Sequence, residues 1–140
     1  VPRIWELVLE LAEYERLTET VSGSLEQLHE SLFGARPACQ CIVALFDGLV
    51  VGYALTFPTY STFRTRCGMW LEDLYVTPSH RGKGVGKAML RYLIERGREA
   101  DLGRIEWSVL DWNESAIEFY RSMGADVLPD WRFCRVSIGL

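Results

Sequence analysis

The chain has 140 residues, 49% of them hydrophobic and 24% charged, with a formal net charge of −4. That length suits one domain around one core, and the composition is that of a soluble globular protein needing neither disulfides nor metal. The negative balance excludes a binder of phosphate backbones, which needs clustered excess Lys and Arg, and suits weak steering of a cationic small molecule.

The first predicted element is an amphipathic helix over residues 3–17, with Ile4, Leu7, Val8, Leu11 and Tyr14 at helical spacing behind Pro2. A second helix spans 24–33, with Ser24 as N-cap, Gln27 three residues on, and Gly34 and Pro37 as stops. Three apolar runs follow, at 41–46, 49–57 and 69–76. Asp47-Gly48 is a hairpin turn between the first two, and the polar stretch 59–66 separates the last two. They read as consecutive antiparallel strands, stopped at Thr77-Pro78-Ser79. Residues 85–100 are helical again, with Gly103 as the C-terminal stop, and 104–110 form a strand. Asn113 caps a helix ended by Gly124, and 132–138 read as a final strand. The order is α-α-β-β-β-α-β-α-β in a single domain, residues 1–140. Mixed domains of this kind usually open on a strand, so a short first strand is expected to be missing from this sequence.

The cysteines Cys39, Cys41, Cys67 and Cys134 show no zinc spacing and read as buried thiols in a reducing compartment. No signal-peptide core and no apolar run of the ~18 residues a membrane span needs is present, so the expected location is cytoplasmic. His29 and His80 have no evident partner in the sequence and receive no catalytic role.

The most informative segment is Arg81-Gly82-Lys83-Gly84-Val85-Gly86-Lys87. It lies between a strand and a helix, where unpaired amides and the helix dipole make an anion site. Its glycines let a pyrophosphate approach the backbone, and Arg81, Lys83 and Lys87 add charge. A Walker A loop is excluded, because Arg81 stands at its first glycine position and Ala88 follows Lys87. A dinucleotide fingerprint fails on glycine spacing and on the antiparallel strands before it.

Arg-Gly-x-Gly-x-Gly after a strand and a proline turn resembles the coenzyme A pyrophosphate loop of the GNAT superfamily of N-acetyltransferases. Trp70-Leu71-Glu72-Asp73-Leu74-Tyr75-Val76, the run from Asp111 to Tyr120, Ala12-Glu13-Tyr14-Glu15 and Asp130-Trp131-Arg132 are similar to the spermidine/spermine (diamine) and thialysine N-acetyltransferase branch. The resemblance covers nearly the whole chain and implies an α+β fold: a mixed, mostly antiparallel sheet with a splayed central strand pair and flanking helices. It implies acetyl-CoA as cofactor. Leu74, Tyr75 and Val76 would hold the pantetheine arm, Arg81, Gly82, Lys83, Gly84, Val85, Gly86 and Lys87 the pyrophosphate, and Asn113, Glu114, Ser115 and Ala116 further parts of it. Ser115 stands where the family often has Pro. Tyr14, Glu15, Glu72, Glu106, Trp107, Ser108 and Asp130 would face a cationic amine substrate.

Two residues carry the implied chemistry. The phenol of Tyr120 would assist the departing sulfur, although its spacing from Ala116 and Phe119 equally fits a core aromatic. Glu72 would bind an ammonium of pKa roughly 10 and accept its proton, directly or through water. Strand alternation puts Glu72 and Asp73 on opposite faces, and the resemblance selects Glu72 for the cleft. A homodimer is also implied; Trp131 and Phe133 suit either an interface or the core. Two rivals stay open at this point: a GNAT enzyme for another amine (amino acid, aminoglycoside or protein), and a coenzyme A-binding module without turnover.

Overall fold

The computed structural model describes residues 1–139. The chain forms two compact units, the first Val1–Ser108 and the second from Val109 onward.

In the first unit, helix α1 spans Pro2–Tyr14 and α2 spans Leu25–Phe33. The predicted α1 runs to 17, but the helix stops three residues earlier. Arg16 takes a left-handed φ of 61°, while the amides of Arg16 and Leu17 turn back onto the carbonyls of Glu13 and Ala12. This Schellman closure satisfies the last carbonyls and leaves Tyr14 and Glu15 at the helix end. Ser24 caps α2 as expected, its Oγ accepting from Gln27 N at 3.2 Å.

Strands β1 (Gln40–Phe46), β2 (Leu49–Ser61) and β3 (Arg66–Val76) form an antiparallel meander. Asp47 and Gly48 both have positive φ, as the predicted two-residue turn requires. Half of the stretch 59–66 is strand, because Thr59, Tyr60 and Ser61 pair with Gly68, Cys67 and Arg66, and only 62–65 form the turn. Cross-strand pairing supplies there what polar composition hides. Strand β4 is only Ile105–Glu106, not 104–110, and pairs parallel with Met69 and Trp70. The sheet order is β1-β2-β3-β4.

The face of Cys41, Tyr53, Leu55 and Tyr75 lies under α1 and α2. Leu7, Tyr53, Leu55 and Tyr75 form the core there, flanked by Ile4, Val8, Leu11 and Leu28. Full burial of a leucine such as Leu7 is worth about 2 kcal/mol. Helix α3 (Val85–Glu99) covers the opposite face with buried Met89, Leu90 and Leu93. Its stop is not Gly103. Asp101 takes φ 56°, and the amides of Asp101 and Leu102 close onto Arg98 and Gly97. A short acidic side chain tolerates that conformation.

In the second unit, α4 (Glu114–Ser122) is capped by Asn113, whose Oδ1 accepts from Ala116 N at 3.4 Å, and is closed by Gly124 at φ 91°. The strand expected at 132–138 is absent: residues 125–139 carry no regular structure. The period-2 pattern is there, but among the described residues no strand pairs with it, and a strand without a ladder is not stable alone. Trp131 and Phe133 are 78% and 67% exposed, so they do not form a core.

Candidate functional site

The site starts from an irregularity in β3. Leu55 pairs with Asp73, but the next residue, Thr56, pairs with Leu71, so Glu72 is an extra residue in the ladder. The bulge interrupts alternation and re-aims the side chains around it. Trp70 and Asp73 are three apart yet share a face, since their partners Phe57 and Leu55 are two apart. On that face the Tyr53 hydroxyl donates to Asp73 Oδ2 at 2.8 Å, and Trp70 Nε1 donates to Glu72 Oε2 at 3.0 Å. Opposite faces for Glu72 and Asp73 is therefore incorrect: both acids lie on the α1 side. Sequence reasoning missed Asp73. The available signal was the apolar spacing of the other face (Met69, Leu71, Leu74, Val76), which jumps by three where a regular strand steps by two.

Glu15, the C-cap of α1, joins this pair. Partial burial raises its pKa above the usual carboxylate range, and the charges of Asp73 and then Glu72 raise it further. Burial raises Asp73 as well, with Glu72 adding to it, while the Tyr53 hydrogen bond works the other way. A carboxylate at a helix C-terminus is also unfavourably placed in the helix dipole. Among the described residues, no group of three or more His, Cys, Asp or Glu could hold a metal ion. The three acids therefore share a field, and the ligand such a field favours is a cation.

Glu106 pairs with Trp70 on β4, but Arg104 Nε donates to its Oε1 at 3.0 Å and neutralises it locally. Trp107 and Ser108 follow β4 in irregular chain. Tyr14 ends α1 beside Glu15. Cys41, in line with Leu55 and Asp73 across the sheet, has its thiol pushed up to about 11 by burial, then by Cys39 and Asp73, which removes it as a nucleophile. All four cysteines are free. Cys39 and Cys41 are half-buried, whereas Cys67 and Cys134 are exposed, contrary to the expectation of buried thiols.

The cofactor side begins where β3 loses a neighbour. Parallel pairing with β4 stops at Trp70, so among the described residues one edge of Leu74–Val76 has no strand beside it. Beyond Thr77, a 3-10 turn at Pro78–His80 leads to the glycines. Gly82 and Gly84 have φ 76° and 80°, and a Cβ added at either would project into open space. Gly84 is the N-cap of α3 and offers no side-chain cap, so the first-turn amides stay free for an anion. Positive φ, open space and free amides fit a pyrophosphate. Of the three predicted cations, Lys87 is exposed, Lys83 Nζ lies 5.0 Å over the Phe46 ring, and Arg81 points elsewhere. Its Nε donates to Val76 O at 3.0 Å, with Cζ 4.7 Å from the Tyr14 ring centroid and 5.4 Å from that of Tyr75.

His80 does have partners: its Nδ1 lies 3.1 Å from Thr77 Oγ1 and 3.0 Å from Ser79 Oγ, and its ring meets Phe46 edge-on. His29 packs against Phe33. A cleft of about 920 Å³ runs beside Arg3, Glu10, Tyr14, Tyr75, His80 and Arg81. Glu15, Glu72 and Asp73 are not part of its wall.

In the second unit, Glu114, Ser115 and Ala116 form the first turn of α4, behind the buried cap Asn113. Tyr120 lies on the last turn; its carbonyl accepts from Ala125 N at 3.1 Å, and its ring packs at 5.5 Å from Phe119. Asp130 sits in an exposed turn.

An antiparallel meander whose last strand is open on one edge and runs into a glycine-rich helix N-terminus defines an acyl-CoA-dependent acyltransferase. Residues 4–125 match the acetyltransferase (GNAT) family, and the chain belongs to it as an acetyl-CoA-dependent N-acetyltransferase. A thialysine N-epsilon-acetyltransferase of Bos taurus is 36% identical over 91% of this chain and 79% of its own length. An L-ornithine N5-acetyltransferase of Arabidopsis thaliana is 29% identical over 98% of this chain and 80% of its own. Among solved structures, an aminoglycoside acetyltransferase from an uncultured soil metagenomic sample superposes with a TM-score of 0.81 at 16% identity, over 99% of this chain and 90% of that one. At that identity the likeness concerns the fold alone. No described helix is long and apolar enough to cross a membrane.

Proposed function

We propose that this enzyme acetylates a primary amine on a small substrate bearing two or more cationic nitrogens, of the polyamine, ornithine or thialysine kind. The observation that carries the reading is the convergence of Glu15, Glu72 and Asp73 on one face, with Glu15 and Asp73 raised by burial and mutual repulsion. A second ammonium relieves that repulsion, and a monocation relieves less of it. The relatives named for thialysine and ornithine support the same substrate class.

Acetyl-CoA, when bound, supplies the acetyl thioester and the departing thiol. The amides of Gly82 to Lys87 and the side chains of Lys83 and Lys87 would hold its phosphates, and the open edge of Leu74–Val76 would hold the arm. On α4, Asn113, Glu114, Ser115 and Ala116 add contacts from the helix N-terminus. Glu15 and Asp73 anchor the distal ammonium. Glu72, held by Trp70, would take the proton from the reacting nitrogen and so free its lone pair for attack. Tyr120 supplies a proton on the leaving-group side, and Tyr14 packs against the aliphatic part of the amine. Trp107 and Ser108 would complete the substrate's surroundings, and the enzyme would act as a homodimer.

The test is thiol release with spermidine, putrescine, thialysine, L-ornithine, L-lysine, an aminoglycoside and a lysine peptide. Highest kcat/KM for a diamine is expected. Preference for the aminoglycoside or peptide overturns the substrate class, and tight acetyl-CoA binding with no turnover of any amine overturns the function.

A further inference from the structure

We propose that Arg81, although it opens the glycine-rich turn, is a positioning residue for the amine side of the site and not a ligand of the phosphates. The inference rests on the amine reading above and gives this side chain a different role from the one its motif implies.

The guanidinium is held on three sides. Its Nε donates to Val76 O at 3.0 Å, which folds the side chain back along β3 instead of toward Gly82 and Gly84. Its Cζ lies 4.7 Å from the Tyr14 ring centroid and 5.4 Å from that of Tyr75. Tyr75 is itself fixed, since its hydroxyl donates to Glu10 Oε2 at 3.0 Å, and its phenol is pushed up to about 12 by burial and by that bond. Glu10 in turn lies 3.7 Å from Arg3. Arg81 is thus the end of a polar chain that ties α1 to β3.

What this chain positions is Tyr14. That residue is the last of α1, directly before the C-cap Glu15, at an end that depends on the left-handed Arg16. Helix ends fray, and a planar cation packed on the ring restrains both the ring and the neighbouring carboxylate. A planar guanidinium bonds a carbonyl with its Nε–H while its flat face stacks on an aromatic ring; a lysine ammonium offers no such face and holds the ring less firmly. Without Arg81 the cradle keeps the uncapped amides of the α3 N-terminus, with the exposed Lys87 on the first turn.

Arg81→Lys separates the two roles, since it keeps the charge a phosphate needs and loses the planar fork. With the best diamine of the screen, the amine KM is expected to rise about fivefold, with acetyl-CoA KM within about twofold and kcat little changed. A larger rise in acetyl-CoA KM than in amine KM, or no change in either, overturns the proposal. A second readout needs no turnover. The δ-methylene protons of Arg81 should be shifted upfield by the rings, an effect that Tyr14→Leu reduces. Saturating coenzyme A is expected to leave that shift in place. Its loss on adding coenzyme A means that Arg81 has moved to the phosphates, and the proposal falls. Should the wild-type enzyme acetylate no amine, the functional reading fails, and the coenzyme A titration still decides the role of Arg81.

Discussion

Removing one oxygen atom, in Tyr53→Phe, tests the logic of the acidic face. Tyr53 is 0% exposed, and its hydroxyl donates to Asp73 Oδ2 at 2.8 Å. Its own pKa is driven far upward, first by burial and then by the charge of Asp73, so it is a donor at every working pH. Phenylalanine keeps the ring against Leu7, Leu55 and Tyr75 and creates almost no cavity. What is lost is a hydrogen bond to a charged, half-buried carboxylate, worth roughly 1.5–3 kcal/mol. Against a total stability of about 5–15 kcal/mol, a loss near 2 kcal/mol is easily measured by urea unfolding. The sign with pH is fixed as well. The hydrogen bond favours ionised Asp73, so its contribution is full above the folded pKa and fades as the pH falls through it. The deficit should be about 2 kcal/mol at pH 7.5 and should shrink as the pH falls through the folded pKa of Asp73. Combining the change with Asp73→Asn should reveal coupling, because the two residues share one bond. A deficit below about 0.5 kcal/mol, or one larger at pH 5 than at pH 7.5, refutes the argument.

Asp73→Asn alone removes a charge that the fold holds against repulsion. Asp73 is raised in the folded protein, so the wild type loses stability as pH rises through that value. The variant's melting temperature relative to wild type should therefore become more favourable as the pH rises through that value, while its diamine KM rises; a difference that becomes less favourable with rising pH contradicts this. Tyr120→Phe should lower kcat by about 100-fold or more with coenzyme A affinity retained, as calorimetry would show; unchanged kcat removes the assigned role. Gly84→Ala places a Cβ in the phosphate cradle at φ 80°, costing about 1–2 kcal/mol. It should raise acetyl-CoA KM at least tenfold with amine KM little changed, and equal KM values for acetyl-CoA would show that the cradle is not used.

Much of this protein is written in local sequence. The stripe Ile4, Leu7, Val8, Leu11 sets α1, Asp47-Gly48 sets the hairpin, and Ser24, Asn113 and Gly124 set helix ends, because caps and turns depend on a few adjacent backbone groups. The glycines at 82 and 84 announce the cofactor loop for the same reason: positive φ at a helix N-terminus needs residues without a Cβ. What only the tertiary structure decided was register and direction. The bulge at Glu72 arises from how β3 pairs with β2, and it breaks the alternation that would have put Glu72 on the face opposite Asp73. Likewise, 132–138 has a strand's alternation without a ladder, and Arg81 bears a phosphate motif's charge yet lies against Tyr14 and Tyr75. Sequence spacing fixes the alternation along one chain. Pairing between chain segments decides which face each charge finally meets.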